Sequence, residues 1–193
     1  MGSFNITGAL KRLIGDIVRR IGELHHIEPN RLLICVSSTR NGGIHGVYAK
    51  IHPLCFAGGV RTTEIRRGRR RCTCSLPTIT HRGVEILYLI YFLVPRFLDL
   101  PLREKLVTIF HELYHISPEF NGDIRRFAGR NYAHGSSTRR YNQLMGRMVD
   151  RYLELIEDRT LLDFLEGNLE DLRTQHGTVV GRKHPVPRLL VVG

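Results

Sequence analysis

The chain has 193 residues, of which 42% are hydrophobic, with no Trp and a formal net charge of +11 at neutral pH. That length suits one domain with an ample core. The longest apolar run, Val84 to Val94, contains Glu85 and is too short to span a bilayer. The N-terminus lacks the long apolar stretch of a secretory leader, and Ile6 stands where a myristoylation signal needs Ser or Thr. The expectation is a soluble, cytoplasmic protein whose four cysteines, Cys35, Cys55, Cys72 and Cys74, stay reduced. The positive charge points to an acidic partner such as nucleic acid, although net charge alone also serves solubility.

The first predicted element is an amphipathic helix from about Ala9 to Leu24. Leu10, Leu13, Ile14, Ile17, Val18, Ile21 and Leu24 recur at three- and four-residue spacing. After a turn at Glu28-Pro29-Asn30, Arg31 to Ser37 reads as a strand. Asn41-Gly42-Gly43 then signals a turn, and Ile44 to Ile51 alternates, so the two runs predict a hairpin. Cys72 to Ile79 predicts a further strand, preceded by the basic run Arg66 to Arg71. Val84 to Val94, rich in Ile, Leu, Tyr and Phe, reads as a strand buried on both faces.

Pro101 is placed to open a helix over about Leu102 to Ile116, which Ser117-Pro118 ends. Residues 117 to 136 read as a loop, long enough to suggest that it serves a site. Another helix is expected from Ser136, Ser137 or Thr138 to about Asp158, and a short one over Leu161 to Arg173. Residues 1–175 therefore read as one domain and 176–193, rich in Gly, Pro and basic residues, as a loosely attached tail.

The helix opened by Pro101 carries His111-Glu112-Leu113-Tyr114-His115, an H-E-x-x-H pattern. Residues four apart share a helix face, so both imidazoles can grip one metal ion with Glu112 beside it. That is the arrangement of zinc peptidases, in which the carboxylate takes a proton from a water on the metal. A catalytic zinc usually has three protein ligands. His134, in the following loop beside Gly135, is the leading candidate for the third; Glu154, Glu157 and Asp123 are the rivals. Tyr132 and Arg130 are candidates to stabilise an oxyanion. The metzincin pattern does not fit, because Pro118 and Asn121 stand where it needs Gly and His.

The stretch HELYHISPEFNGDIRRFAGRNYAHG resembles the metallopeptidases found in phages and prokaryotes, distantly similar in layout to SprT-like proteases. The resemblance covers about residues 105 to 136. It implies His111 and His115 as metal ligands, Glu112 as the catalytic carboxylate and His134 as third ligand. The fold expected is α+β and zincin-like, with a small curved sheet of about three or four strands packed on the motif helix and its neighbours.

Two further features need an account. Cys72 and Cys74 lie on one face of their strand, but no second pair at zinc-site spacing accompanies them, so buried thiols are the simpler reading. Arg66, Arg67, Arg69, Arg70 and Arg71 could hold phosphates, or form a solvated loop. The function expected is zinc-dependent hydrolysis of a protein or peptide substrate. The alternative is a basic nucleic-acid-binding protein with a structural or vestigial metal site.

Overall fold

The computed structural model describes residues 2–38, 47–127 and 138–192, with the side chains of Arg67 and Thr138 outside that description. In chain order the elements are β1 (Ser3–Asn5), α1 (Ile6–Arg20), β2 (Leu32–Ser38), β3 (Ala49–Pro53), β4 (Thr62–Arg67), β5 (Arg70–Ser75), β6 (Ile79–His81), β7 (Val84–Ile86) and β8 (Tyr88–Val94). They continue with α2 (Leu102–Tyr114), α3 (Thr138–Leu155), α4 (Asp163–Glu166), α5 (Leu169–His176), β9 (Thr178–Val180) and β10 (Leu190–Val191). The fold is mixed α+β with several small sheets. Among the described residues no helix is long and apolar enough to cross a membrane.

The central sheet has the order β2-β8-β3. β8 pairs in parallel with β2, Leu32 opposite Tyr88, and antiparallel with β3, Ile51 opposite Ile90. Alternation along the strands divides their side chains between two faces. Ile34, Tyr88, Ile90 and Phe92 join the main core with the helices, whereas Leu33, Cys35, Leu89 and Tyr91 pack in a second cluster. Burial on both faces explains why the β8 sequence is an unbroken apolar run. The predicted hairpin between the Arg31–Ser37 run and the strand ending at Ile51 does not form. β2 and β3 instead flank β8 on opposite sides. The predicted Cys72 to Ile79 strand resolves into β5, paired with β4, and β6, paired with β7.

Asn5 sets the start of α1 by accepting from the Gly8 N–H at 3.0 Å, which satisfies one of the first-turn donors. The helix then buries Leu10, Leu13, Ile14 and Ile17 completely, each contributing about 1.5–3 kcal/mol of transfer free energy. Its buried Asp16 accepts from the Tyr152 hydroxyl of α3 at 2.9 Å and from Arg20 and Arg19. Burial pushes the Asp16 carboxyl up, but the bonds from Tyr152, Arg19 and Arg20 outweigh it and hold the group below the usual range. α2 is anchored differently. Its Lys105 is 1% exposed, and Nζ donates to the carbonyls of Leu165 and Gly167 at 2.7 Å each.

Two expectations about the C-terminal part are corrected. The helix predicted over Leu161 to Arg173 is interrupted at Gly167-Asn168, where Asn168 and Asp171 form a capping box that starts α5 afresh. The segment after His176 is not loosely attached. β9 pairs in parallel with β1, β10 pairs antiparallel with β5, and the Val36 N–H of β2 donates to the Arg182 carbonyl at 2.8 Å.

Candidate metal centre

α2 presents the H-E-x-x-H pattern at its C-terminal end. Leu106, Ile109, Phe110 and Leu113 are fully buried, which fixes the roll of the helix and leaves His111 half-buried. His115 is the residue just past the helix, still in right-handed helical conformation (φ −69°, ψ −17°). The four-residue spacing therefore survives across the helix end. The two Nε2 atoms lie 3.0 Å apart, and the rings meet edge-on with centroids 4.7 Å apart. Two zinc–nitrogen bonds of about 2.0–2.1 Å, opened at a tetrahedral angle, would separate their nitrogens by about 3.3 Å. The pair is thus close to the spacing at which two imidazoles share one cation.

Glu112, between the two histidines in the chain, is buried at 7% exposed, and its charge reaches Tyr141, the ring that packs on both imidazoles. Burial pushes its carboxyl up to about 7, while the Ile51 backbone N–H, which donates to it, pulls in the opposite direction. A carboxyl near neutrality is suited both to accept and to return a proton. Ile51 belongs to β3, the edge strand of the central sheet, so the sheet itself holds this group.

Further supports surround the pair. Tyr141 of α3 is buried, donates to the His111 carbonyl at 3.3 Å, and lies 5.0 Å from the His111 ring and 5.8 Å from the His115 ring. Burial, and then the proximity of Glu112, push the Tyr141 hydroxyl well above its ordinary range, so it stays protonated. The end of α2 is closed by Arg125. Its backbone N–H donates to the His115 carbonyl at 2.6 Å, its Nε donates to the Tyr114 carbonyl at 2.8 Å, and its guanidinium sits 4.1 Å over the Tyr114 ring. These bonds satisfy carbonyls that a helix end leaves open. Nothing in the sequence pattern marks Tyr141, Arg125 or the Ile51 N–H as part of a site. An aromatic at a core spacing looks the same whether it packs on Leu or on His.

Of the residues expected at the site, His111, Glu112 and His115 come together. His134, Tyr132 and Arg130 lie outside the described residues. The rival ligands are engaged elsewhere or exposed. Asp123 accepts from the N–H groups of Gly58 and Ile124, both at 2.8 Å, and from Arg126. Glu157 pairs with Arg20 at 3.1 Å, and Glu154 faces solvent. Among the described residues no three His, Cys, Asp or Glu side chains are grouped to hold a metal. Cys35, Cys55 and Cys74 are buried and Cys72 partly so, all as free thiols, and burial pushes Cys35 up to about 11. Arg66, Arg69, Arg70 and Arg71 are exposed on the β4–β5 hairpin, where Arg66 donates to the Gly68 carbonyl and Arg71 lies 3.8 Å from Glu64.

The chain matches the family model described as "Putative phage metallopeptidase" over residues 4–152. The protein belongs to that family. The matched region takes in α1, the central sheet, the H-E-x-x-H helix and α3 as far as Tyr152, and leaves out α4, α5, β9 and β10. No curated protein and no solved structure matches the chain. Membership in a metallopeptidase family carries a metal ion and a protein or peptide substrate with it, and nothing in the match points to nucleic acid.

Proposed function

We propose that this family member is a zinc peptidase of zincin-like layout in which His111, His115 and His134 hold the metal and Glu112 moves the proton. The observation that carries the reading is the 3.0 Å convergence of the two Nε2 atoms on the helix face beside a buried carboxyl. His134 is preferred as third ligand because it follows the motif helix in a Gly-flanked stretch and because the three acidic rivals do not join the pair. When bound, zinc supplies Lewis-acid polarisation of a carbonyl and acidification of water.

The chain's own groups do the rest. Glu112 takes the proton of the attacking water and passes it to the leaving amine nitrogen. The Ile51 N–H orients that carboxyl and ties it to β3. Tyr141 and Arg125 hold the two imidazoles at their spacing, and Tyr132 donates to the developing oxyanion. An extended substrate adds alongside β3, by the strand-addition mode common to peptide-binding sheets. The apolar strand β8 and the strand β5 are ill placed for it. β8 is paired on both sides, as is β5, whereas β3 has β8 on one side only among the described residues.

The test is metal content by elemental mass spectrometry together with peptide cleavage by the wild type and Glu112→Gln. The expected result is about one zinc per chain in both proteins, with cleavage lost in the variant. Equal cleavage by Glu112→Gln, or a purified protein that takes up no metal, would overturn the reading.

A further inference from the structure

The central sheet has a second side. On the face turned away from α2 lies a cavity of about 600 Å3, within the range of about 300–1,000 Å3 typical of small-molecule sites. β2 contributes Ser37, β8 contributes Tyr91 and Leu93, and β3 contributes Lys50 and His52. The remaining wall is the segment Lys183 to Val186. That wall is fixed in place, because the Tyr91 hydroxyl donates to the Pro185 carbonyl at 3.1 Å and the Val36 N–H donates to the Arg182 carbonyl. It is also built from residues beyond the 4–152 family match, so the cavity depends on a part of this chain that the family pattern does not include.

The chemistry of the lining is one-sided. Lys50 and Lys183 stand over it, no carboxylate lines it, and neither lysine has an ion-pair partner among the described residues. Its floor is apolar and aromatic, with the His52 and Tyr91 rings edge-to-face at 5.4 Å. The floor strand β8 is paired on both sides, so it has no free backbone edge to bind a peptide strand. Over this floor the contacts are made by side chains, including Lys50 and His52 of β3, which favours a compact ligand over an extended chain. Cationic groups over an apolar floor complement a molecule with an anionic head and a flat apolar body.

We propose that this cavity binds a small organic anion of the arylcarboxylate or arylsulfonate type, held by Lys50 and Lys183 with its ring against Tyr91 and Leu93.

The probe is anilinonaphthalene sulfonate, titrated by fluorescence against the full chain, with the uncharged N-phenylnaphthylamine as its neutral counterpart. The expected result is saturable binding of the sulfonate at one site per chain. Lys50→Glu combined with Lys183→Glu should weaken it by about tenfold or more while leaving the neutral dye nearly unaffected. Both lysines are exposed, and far-ultraviolet circular dichroism checks that the variant folds. Unchanged sulfonate affinity in the double variant would overturn the proposal. So would an equal loss for the neutral dye, or displacement of the sulfonate by a Glu-rich peptide but not by naphthoate, which would make the cavity a peptide-docking surface.

Discussion

The Tyr141 ring lies 5.0 Å from that of His111, and its hydroxyl reaches the His111 carbonyl at 3.3 Å, so α3 braces the first histidine of the motif from outside its own helix. The same ring stacks at 27° to His115. Removing it frees both imidazoles at once. Tyr141→Ala should weaken zinc binding by about 10–100-fold, the usual cost of losing an outer-shell partner. Tyr141→Phe, which keeps the ring packing and loses the hydroxyl with its 3.3 Å bond to the His111 carbonyl, should bind nearly as the wild type does. Competition with a chromophoric chelator reads both. Wild-type affinity in Tyr141→Ala would show that the ring only fills space.

Lys105 offers a test of the scaffold. Its Nζ bridges the Leu165 carbonyl of α4 and the Gly167 carbonyl at the α4–α5 break, while its stem is buried in the core. Lys105→Met keeps most of the stem and removes the donors, so two acceptors lose their partner. Urea unfolding should show a loss of about 1–3 kcal/mol. A variant as stable as the wild type would mean that water replaces the ammonium at no cost.

How legible this molecule is from its sequence depends on how local each signal is. The H-E-x-x-H pair was readable because helical spacing alone brings His111 and His115 together. The continuous apolar run of β8 announced a strand covered on both faces. The Asn41-Gly42-Gly43 turn suggested a hairpin, yet β2 and β3 never pair. What joins them is β8, more than thirty residues downstream in the chain, and no turn residue encodes that. The Asn168…Asp171 capping box was a readable stop-and-start signal that the apolar spacing of Leu161, Leu165 and Leu169 masked. Tyr141 and the Ile51 N–H escaped notice for another reason. One looks like any core aromatic, and the other is a backbone group without a sequence signature.

Acid should loosen the contact between α1 and α3. Asp16 keeps a carboxyl depressed below its ordinary value of 3.8, because Tyr152, Arg19 and Arg20 outweigh the opposing effect of burial. For an acid with a depressed folded value, the stabilisation is complete above the unfolded value and is lost as the pH falls through the folded one. Asp16→Asn should therefore cost about 1–3 kcal/mol at neutral pH. The gap between variant and wild type should narrow as both are melted at successively lower pH. A gap that stays constant down to about pH 2 would rule out titration of Asp16 as its source.

Gly122 sits at φ +85°, and a Cβ there would come within 2.6 Å of the Cys55 Sγ. Its N–H donates to the Tyr88 hydroxyl and its carbonyl accepts from the Cys55 N–H, so the loop cannot move aside without breaking both. Gly122→Ala should lower stability by about 1–3 kcal/mol through backbone strain alone, and by more through the clash. Adding Cys55→Ala removes the sulfur and should recover part of the loss in thermal melting. No recovery would assign the whole effect to the backbone.

The backbone N–H of Arg182 donates to the Thr7 hydroxyl across a separation of 175 positions, beside the parallel pairing of β1 with β9. Contacts that distant in sequence are slow to close, because the intervening chain must be ordered or looped first. On a ribosome β1 is made well before β9, the strand it pairs with. α1 and the three-stranded sheet can assemble while β1 still waits for β9. The cavity wall at Lys183 to Val186 follows β9 in the chain, so every strand of the central sheet is synthesised before the segment that walls its far side.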